Sequence, residues 1–83
     1  MKLNIETQFD IGDIVYAAEH YYDLYAVKEP YIISDIIVNI NNGGIRIMYC
    51  VEQNGLTDRF PAEWLFNTYE ECTKWCKEQN KSL

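Results

Sequence analysis

Eighty-three residues allow one domain with one modest core, because a chain this short buries only about 60% of the surface that it exposes when unfolded. Hydrophobic residues make up 48% and charged residues 24%, a balance that speaks against an intrinsically disordered chain. A net charge of −6 with only seven Lys and Arg speaks equally against a surface built to hold the phosphates of duplex nucleic acid.

The acidity is uneven. Residues 1–42 carry Glu6, Asp10, Asp13, Glu19, Asp23, Glu29 and Asp35 against Lys2 and Lys28, whereas acids and bases nearly balance from Gly43 onward. An electronegative face is therefore expected from the first half. No apolar run approaches the ~20 residues that cross a bilayer, and Lys2, Asn4, Glu6, Thr7 and Gln8 interrupt the stretch where a secretory signal would be apolar. The expectation is a cytoplasmic protein with three free thiols, Cys50, Cys72 and Cys76.

In chain order, residues 1–8 read as a loose tail, and Phe9-Asp10-Ile11-Gly12-Asp13 as a turn feeding a strand from Ile14 to Ala18. A long connection runs from Glu19 to Pro30. The next signal is a hairpin at Asn41-Asn42-Gly43-Gly44, where a type I′ turn with φ > 0 at Asn42 and Gly43 is expected. That turn pairs Ile40 with Ile45, Val38 with Ile47, Ile36 with Tyr49 and Ser34 with Val51, gathering apolar side chains on one face. The other face takes Asp35, Asn39, Arg46, Met48, Cys50 and Glu52, together with Ile33 and Ile37.

A second Asn-Gly, Asn54-Gly55, returns the chain into a short strand from Leu56 to Phe60. Pro61 lacks a ladder donor and ends it, and residues up to Phe66 read as a short turn and a last edge strand. The final element is a helix over residues 68–80. Thr68 and Glu71 have capping-box spacing, and Tyr69, Cys72, Trp75 and Cys76 form an apolar stripe opposite Glu70, Glu71, Lys74, Lys77 and Glu78. The fold class predicted is mainly β (β+α): a small Src-homology-3-like antiparallel barrel or meander of four to five strands with one C-terminal amphipathic helix.

Few residues carry chemistry. His20 is the only histidine, so a Cys–His or Ser–His–Asp arrangement would have to use it, and nothing near the cysteines lowers a thiol pKa. Cys72 and Cys76 lie one turn apart and could reach one zinc ion with Cys50 and His20 as further ligands. Both helical cysteines, however, fill positions of a packing stripe, so no metal and no cofactor are expected. The carboxylates are scattered and read as a solvated surface, and Gly43-Gly44 is a turn with neither the lysine nor the following helix of a phosphate loop.

The least ordinary stretch is Glu19-His20-Tyr21-Tyr22-Asp23-Leu24-Tyr25. Tyrosine offers large contact area at low entropic cost and is enriched at interfaces. Glu19, Tyr21, Tyr22, Asp23 and Tyr25 are therefore the candidate partner-binding set; the alternative is that some of these rings close one end of a barrel.

The order Phe9…Gly12-Asp13…Val15-Tyr16, Ile45…Tyr49…Val51, and Glu63…Leu65-Phe66…Thr68…Glu70-Glu71-Cys72 resembles short uncharacterised proteins of Gram-positive bacteria and their prophages. The resemblance implies a mobile-element accessory protein, such as an inhibitor of host defence of the anti-CRISPR kind, and brings no catalytic residue. The function expected is a non-catalytic protein-binding module that sets an acidic, tyrosine-rich face on a host protein with a basic surface. A regulatory barrel that binds a peptide or small ligand in an aromatic groove is the alternative.

Overall fold

The computed structural model describes residues 6–81. Six antiparallel strands and one helix follow in order: β1 (Ile14–Tyr21), β2 (Asp23–Ala26), β3 (Tyr31–Asn41), β4 (Gly44–Gln53), β5 (Leu56–Pro61), a 3-10 turn (Ala62–Trp64), β6 (Leu65–Phe66) and α1 (Tyr69–Lys81). The strands share one sheet in the order β2-β1-β3-β4-β5, with β6 also paired to β1. The fold is mainly β with a C-terminal helix, as expected. Among the described residues β5 pairs only with β4, so the sheet is open and not closed into a barrel, and within it β3, β4 and β5 form a meander.

The central hairpin keeps the expected register from Ile40↔Ile45 through Val38↔Ile47 to Ile36↔Tyr49. Beyond Asp35↔Cys50 it departs. Ser34 does not face Val51; the ladder skips it, and Ile33 pairs with Val51 instead. A β-bulge of this kind inserts one residue and reverses the side of every residue beyond it. Ile33 is thereby turned off the outer face and buried beside Val51. The Ser34 hydroxyl donates to the Cys50 carbonyl at 3.2 Å and holds the extra residue in place.

The two Asn-Gly turns differ. Positive φ falls on Gly44 (118°) in the first, not on Asn42 or Gly43, so the expected type I′ turn does not form there. The Asn41 side chain explains the difference: its Oδ1 accepts the Gly43 N–H at 2.7 Å and supports another turn. The second turn, with Asn54 at φ 53° and Gly55 at 81°, has the two left-handed residues that type I′ requires.

Two cores flank β1, whose side chains alternate. Val15 and Ala17 join Phe9, Tyr31, Ile33, Tyr49, Val51, Phe60 and Leu65 on one side. Ala18 meets Cys72 and Cys76 on the other, with Tyr16, Leu24, Ala26, Trp64, Phe66 and Trp75 packed around them. The helix stripe docks as its spacing predicts, and Thr68 Oγ1 accepts the Glu71 N–H at 3.1 Å as N-cap. Of the tail expected over residues 1–8, residues 1–5 lie outside the described range. Gln8 is anchored: its N–H donates to the Tyr49 hydroxyl at 2.9 Å.

Candidate functional site

Glu19 to Pro30 is not the open connection that its acids and missing turn glycine imply. β1 runs on to Tyr21, and Ala18, Glu19, His20 and Tyr21 pair with Ala26, Tyr25, Leu24 and Asp23 of β2. The candidate residues therefore stand on a hairpin. Its helix-facing side is fixed by packing of Leu24 and Ala26 on the Cys72/Cys76 cluster. Asn80 of α1 then satisfies both backbone groups of Leu24: its Oδ1 accepts the N–H and its Nδ2 donates to the carbonyl, each at 2.9 Å. A hairpin of two strands is marginal alone, so this backing is what gives the opposite side a defined shape.

Strand alternation sets Glu19, Tyr21, Asp23 and Tyr25 on that opposite side. Glu19 is half-buried; the other three are exposed. The Tyr25 hydroxyl donates to Glu19 Oε2 at 3.1 Å, and this hydrogen bond leads the causes that hold its pKa above the ordinary tyrosine value. Tyr31, at the rim of the larger core, is pushed in the same direction by burial first, then by the charges of Glu19 and Asp58. Asp58 of β5 is thus a second acid, with Glu19, near Tyr31. It was missed because a single acid in a short strand looks solvated; the signal was its alternation with Phe60, since Asp58 pairs with buried Val51. Asp23 also lies close enough to the helix to help raise the Cys76 thiol.

Tyr22 forms the turn alone, between Tyr21 and Asp23, at φ 64°. A bulky aromatic in the left-handed region is strained, and glycine or asparagine would be the unstrained choice. Tyr22 is 89% exposed, and its ring packs edge-on against that of Tyr21, 70% exposed, at a centroid distance of 4.7 Å.

The residues weighed for zinc or catalysis are not gathered. Cys72 and Cys76 sit in the helix-side core, and burial pushes the Cys72 thiol up to about 12. Cys50 lines an outer cleft with Ser34, Asp35, Thr57, Asp58 and Arg59. His20 is exposed on β1, and among the described residues no three His, Cys, Asp or Glu side chains form a metal-binding group. A second cleft is lined by Ile14, Glu29, Pro30, Ile32, Glu52, Gln53 and Asn54; neither cleft carries an aromatic ring. Among the described residues no helix is long and apolar enough to cross a membrane. No protein-family model, curated protein or solved structure matches this chain.

Proposed function

We propose that the protein is a non-catalytic binding module that works in the cytoplasm, and that the face of the β1–β2 hairpin bearing Glu19, Tyr21, Tyr22, Asp23 and Tyr25 is its contact surface. The partner class is a protein with a basic surface, and the resemblance to prophage proteins makes a host enzyme that handles nucleic acid the natural target of such an inhibitor. The observation that carries this is Tyr22. A strained backbone that displays a side chain 89% exposed, packed on an outlying Tyr21 and on no core residue, costs stability and adds little to the fold, so it points to use of the ring outside the fold. Acids beside it steer a basic partner, and the tyrosines supply affinity once contact is made. The two sheet clefts carry no aromatic ring and the cleft on α1 carries one, Tyr69, which favours this over a groove built of several rings.

The test is capture from a Gram-positive bacterial lysate with wild type, Glu19→Lys/Asp23→Lys and Tyr22→Gly. Tyr22→Gly relieves the turn and deletes the ring, so it should fold at least as well as wild type. The expected result is a captured protein lost on raising salt, captured more slowly by the charge-reversed variant, and released faster by Tyr22→Gly by an amount worth ~1–2 kcal/mol. Capture with unchanged kinetics by both variants sinks the assignment.

A further inference from the structure

The β3–β4 hairpin extends past the rest of the sheet. Among the described residues β5 pairs with β4 only from Met48 to Gln53, and β1 pairs with β3 only at Tyr31 and Ile32. Residues 36–47 therefore form a two-stranded ribbon with Val38, Ile40 and Ile45 exposed, the last two by half or more. The closing pair Asn41↔Gly44 fixes which backbone groups face outward. A two-residue loop is closed by a hydrogen-bonded pair, and such pairs alternate with non-hydrogen-bonded ones. Ile40, Val38 and Ile36 fall on the latter and aim their N–H and C=O groups away from β4. The Ile36 N–H is capped by its neighbour, donating to Asp35 Oδ1 at 2.9 Å. Among the described residues no backbone bond takes up the outward groups of Val38 and Ile40, which leaves them to water or to another strand.

Open edges are normally blunted by Lys, Pro or a bulge. Here the bulge lies at the foot of the edge, and Ile36-Ile37-Val38-Asn39-Ile40-Asn41 has no charge, no Pro and no Gly. We propose that this edge is a self-association surface, on which β3 pairs antiparallel with β3 of a second copy about a twofold axis at Val38. Val38 then faces Val38 of the partner subunit, and Ile36 faces Ile40 of the partner subunit. This register keeps Ile36, Val38 and Ile40 of both copies on one side of a joined sheet, whereas a one-residue shift sets isoleucine against Asn39.

A second copy fits this edge because the strand is uncharged and its apolar residues match themselves in this register. Residues 36–51 hold a single charged side chain, Arg46, so this segment carries +1 and the rest of the chain −7. Two identical acidic molecules repel at their other faces but meet no opposed acids here, since Asp35 comes opposite Asn41 of the partner subunit. A basic partner of the kind drawn to Glu19 and Asp23 finds nothing complementary on this edge. Pairing of about five residues is small beside the ~20–30 residues a side of a standard interface, so the association is weak and concentration-dependent.

Sedimentation velocity and amide hydrogen exchange on the full chain over a concentration series test the proposal. The expected result is a mass that climbs from 9.8 kDa toward twice that value. Exchange at the Val38 and Ile40 amides slows with it, while Asn39, bonded to β4 throughout, does not change. Val38→Lys sets two ammonium groups across the twofold axis and holds the chain at single mass. Ile45→Lys, on the same face but one strand further in, associates like wild type. A single mass at all concentrations overturns the proposal, as does equal loss of association in both variants, which would indicate stacking of faces. Concentration-independent protection of Val38 and Ile40 also overturns it, and needs no variant to be seen.

Discussion

At Cys72 the helix turns a potential nucleophile or metal ligand into a packing residue, because burial stabilises the neutral thiol. The consequence for stability has a definite sign. The unfolded thiol ionises near 9 and the folded one near 12, so above pH 9 the unfolded chain sheds a proton that the folded chain retains. Stability that is fully present below pH 9 is therefore lost progressively toward pH 12. The raised Cys76 thiol acts in the same direction. Melting temperature should fall from about pH 9 upward, and Cys72→Ala, though less stable at neutral pH for lack of the sulfur, should fall less steeply. Raised Tyr25 and Tyr31 leave a residual slope in that variant. Thiol labelling offers an independent check: half-buried Cys50 should react in the native protein, Cys72 and Cys76 only as it unfolds. Asn80 matters through its two bonds to Leu24. Asn80→Ala strands a part-buried N–H and C=O and should cost about 1–3 kcal/mol, seen in a urea melt, with faster exchange of the Leu24 amide.

The helix is the element the sequence described best. Its cap, its bounds to within a residue and its stripe all followed from local spacing, since a helix is set by neighbours three and four positions away. Trp75 packs against Trp64 at 6.0 Å and Phe66 at 5.5 Å between ring centroids. Trp75→Ala should cost on the order of 3 kcal/mol and Lys74→Ala almost nothing, as thermal melts of the two variants would read. The strands were legible only where a turn or an alternating pattern fixed them. The hairpin register held from Ile40 to Ile36 and slipped at Ser34, because a bulge is decided by which side chain the core accepts, and Ile33 outcompetes Ser34 for that place. β2 was invisible for a similar reason. Its turn is a tyrosine, its residues include Asp23, and what makes it a strand is Asn80, far along the chain. The candidate residues were found from composition; their arrangement on one side of a hairpin, and the proximity of Asp58, required the fold.

For the whole molecule, the shared position of β1 is decisive. Successive residues Val15, Tyr16, Ala17 and Ala18 feed the two cores alternately, so neither can come apart without disturbing the other. Unfolding followed by the fluorescence of Trp64 and Trp75, which report the helix side, should coincide with unfolding followed by far-ultraviolet circular dichroism of the sheet; two separate midpoints would show that the cores melt independently. The bond between Asn80 and Leu24 joins residues 56 apart in sequence, and this separation bears on how the protein is made. At ~5–20 residues per second of synthesis, Leu24 waits roughly three to eleven seconds for the amide that closes its backbone. The tyrosine side of the hairpin thus gains its backing only once Asn80 has been made. A nascent chain stalled before Asn80 would show the same rings without their backing.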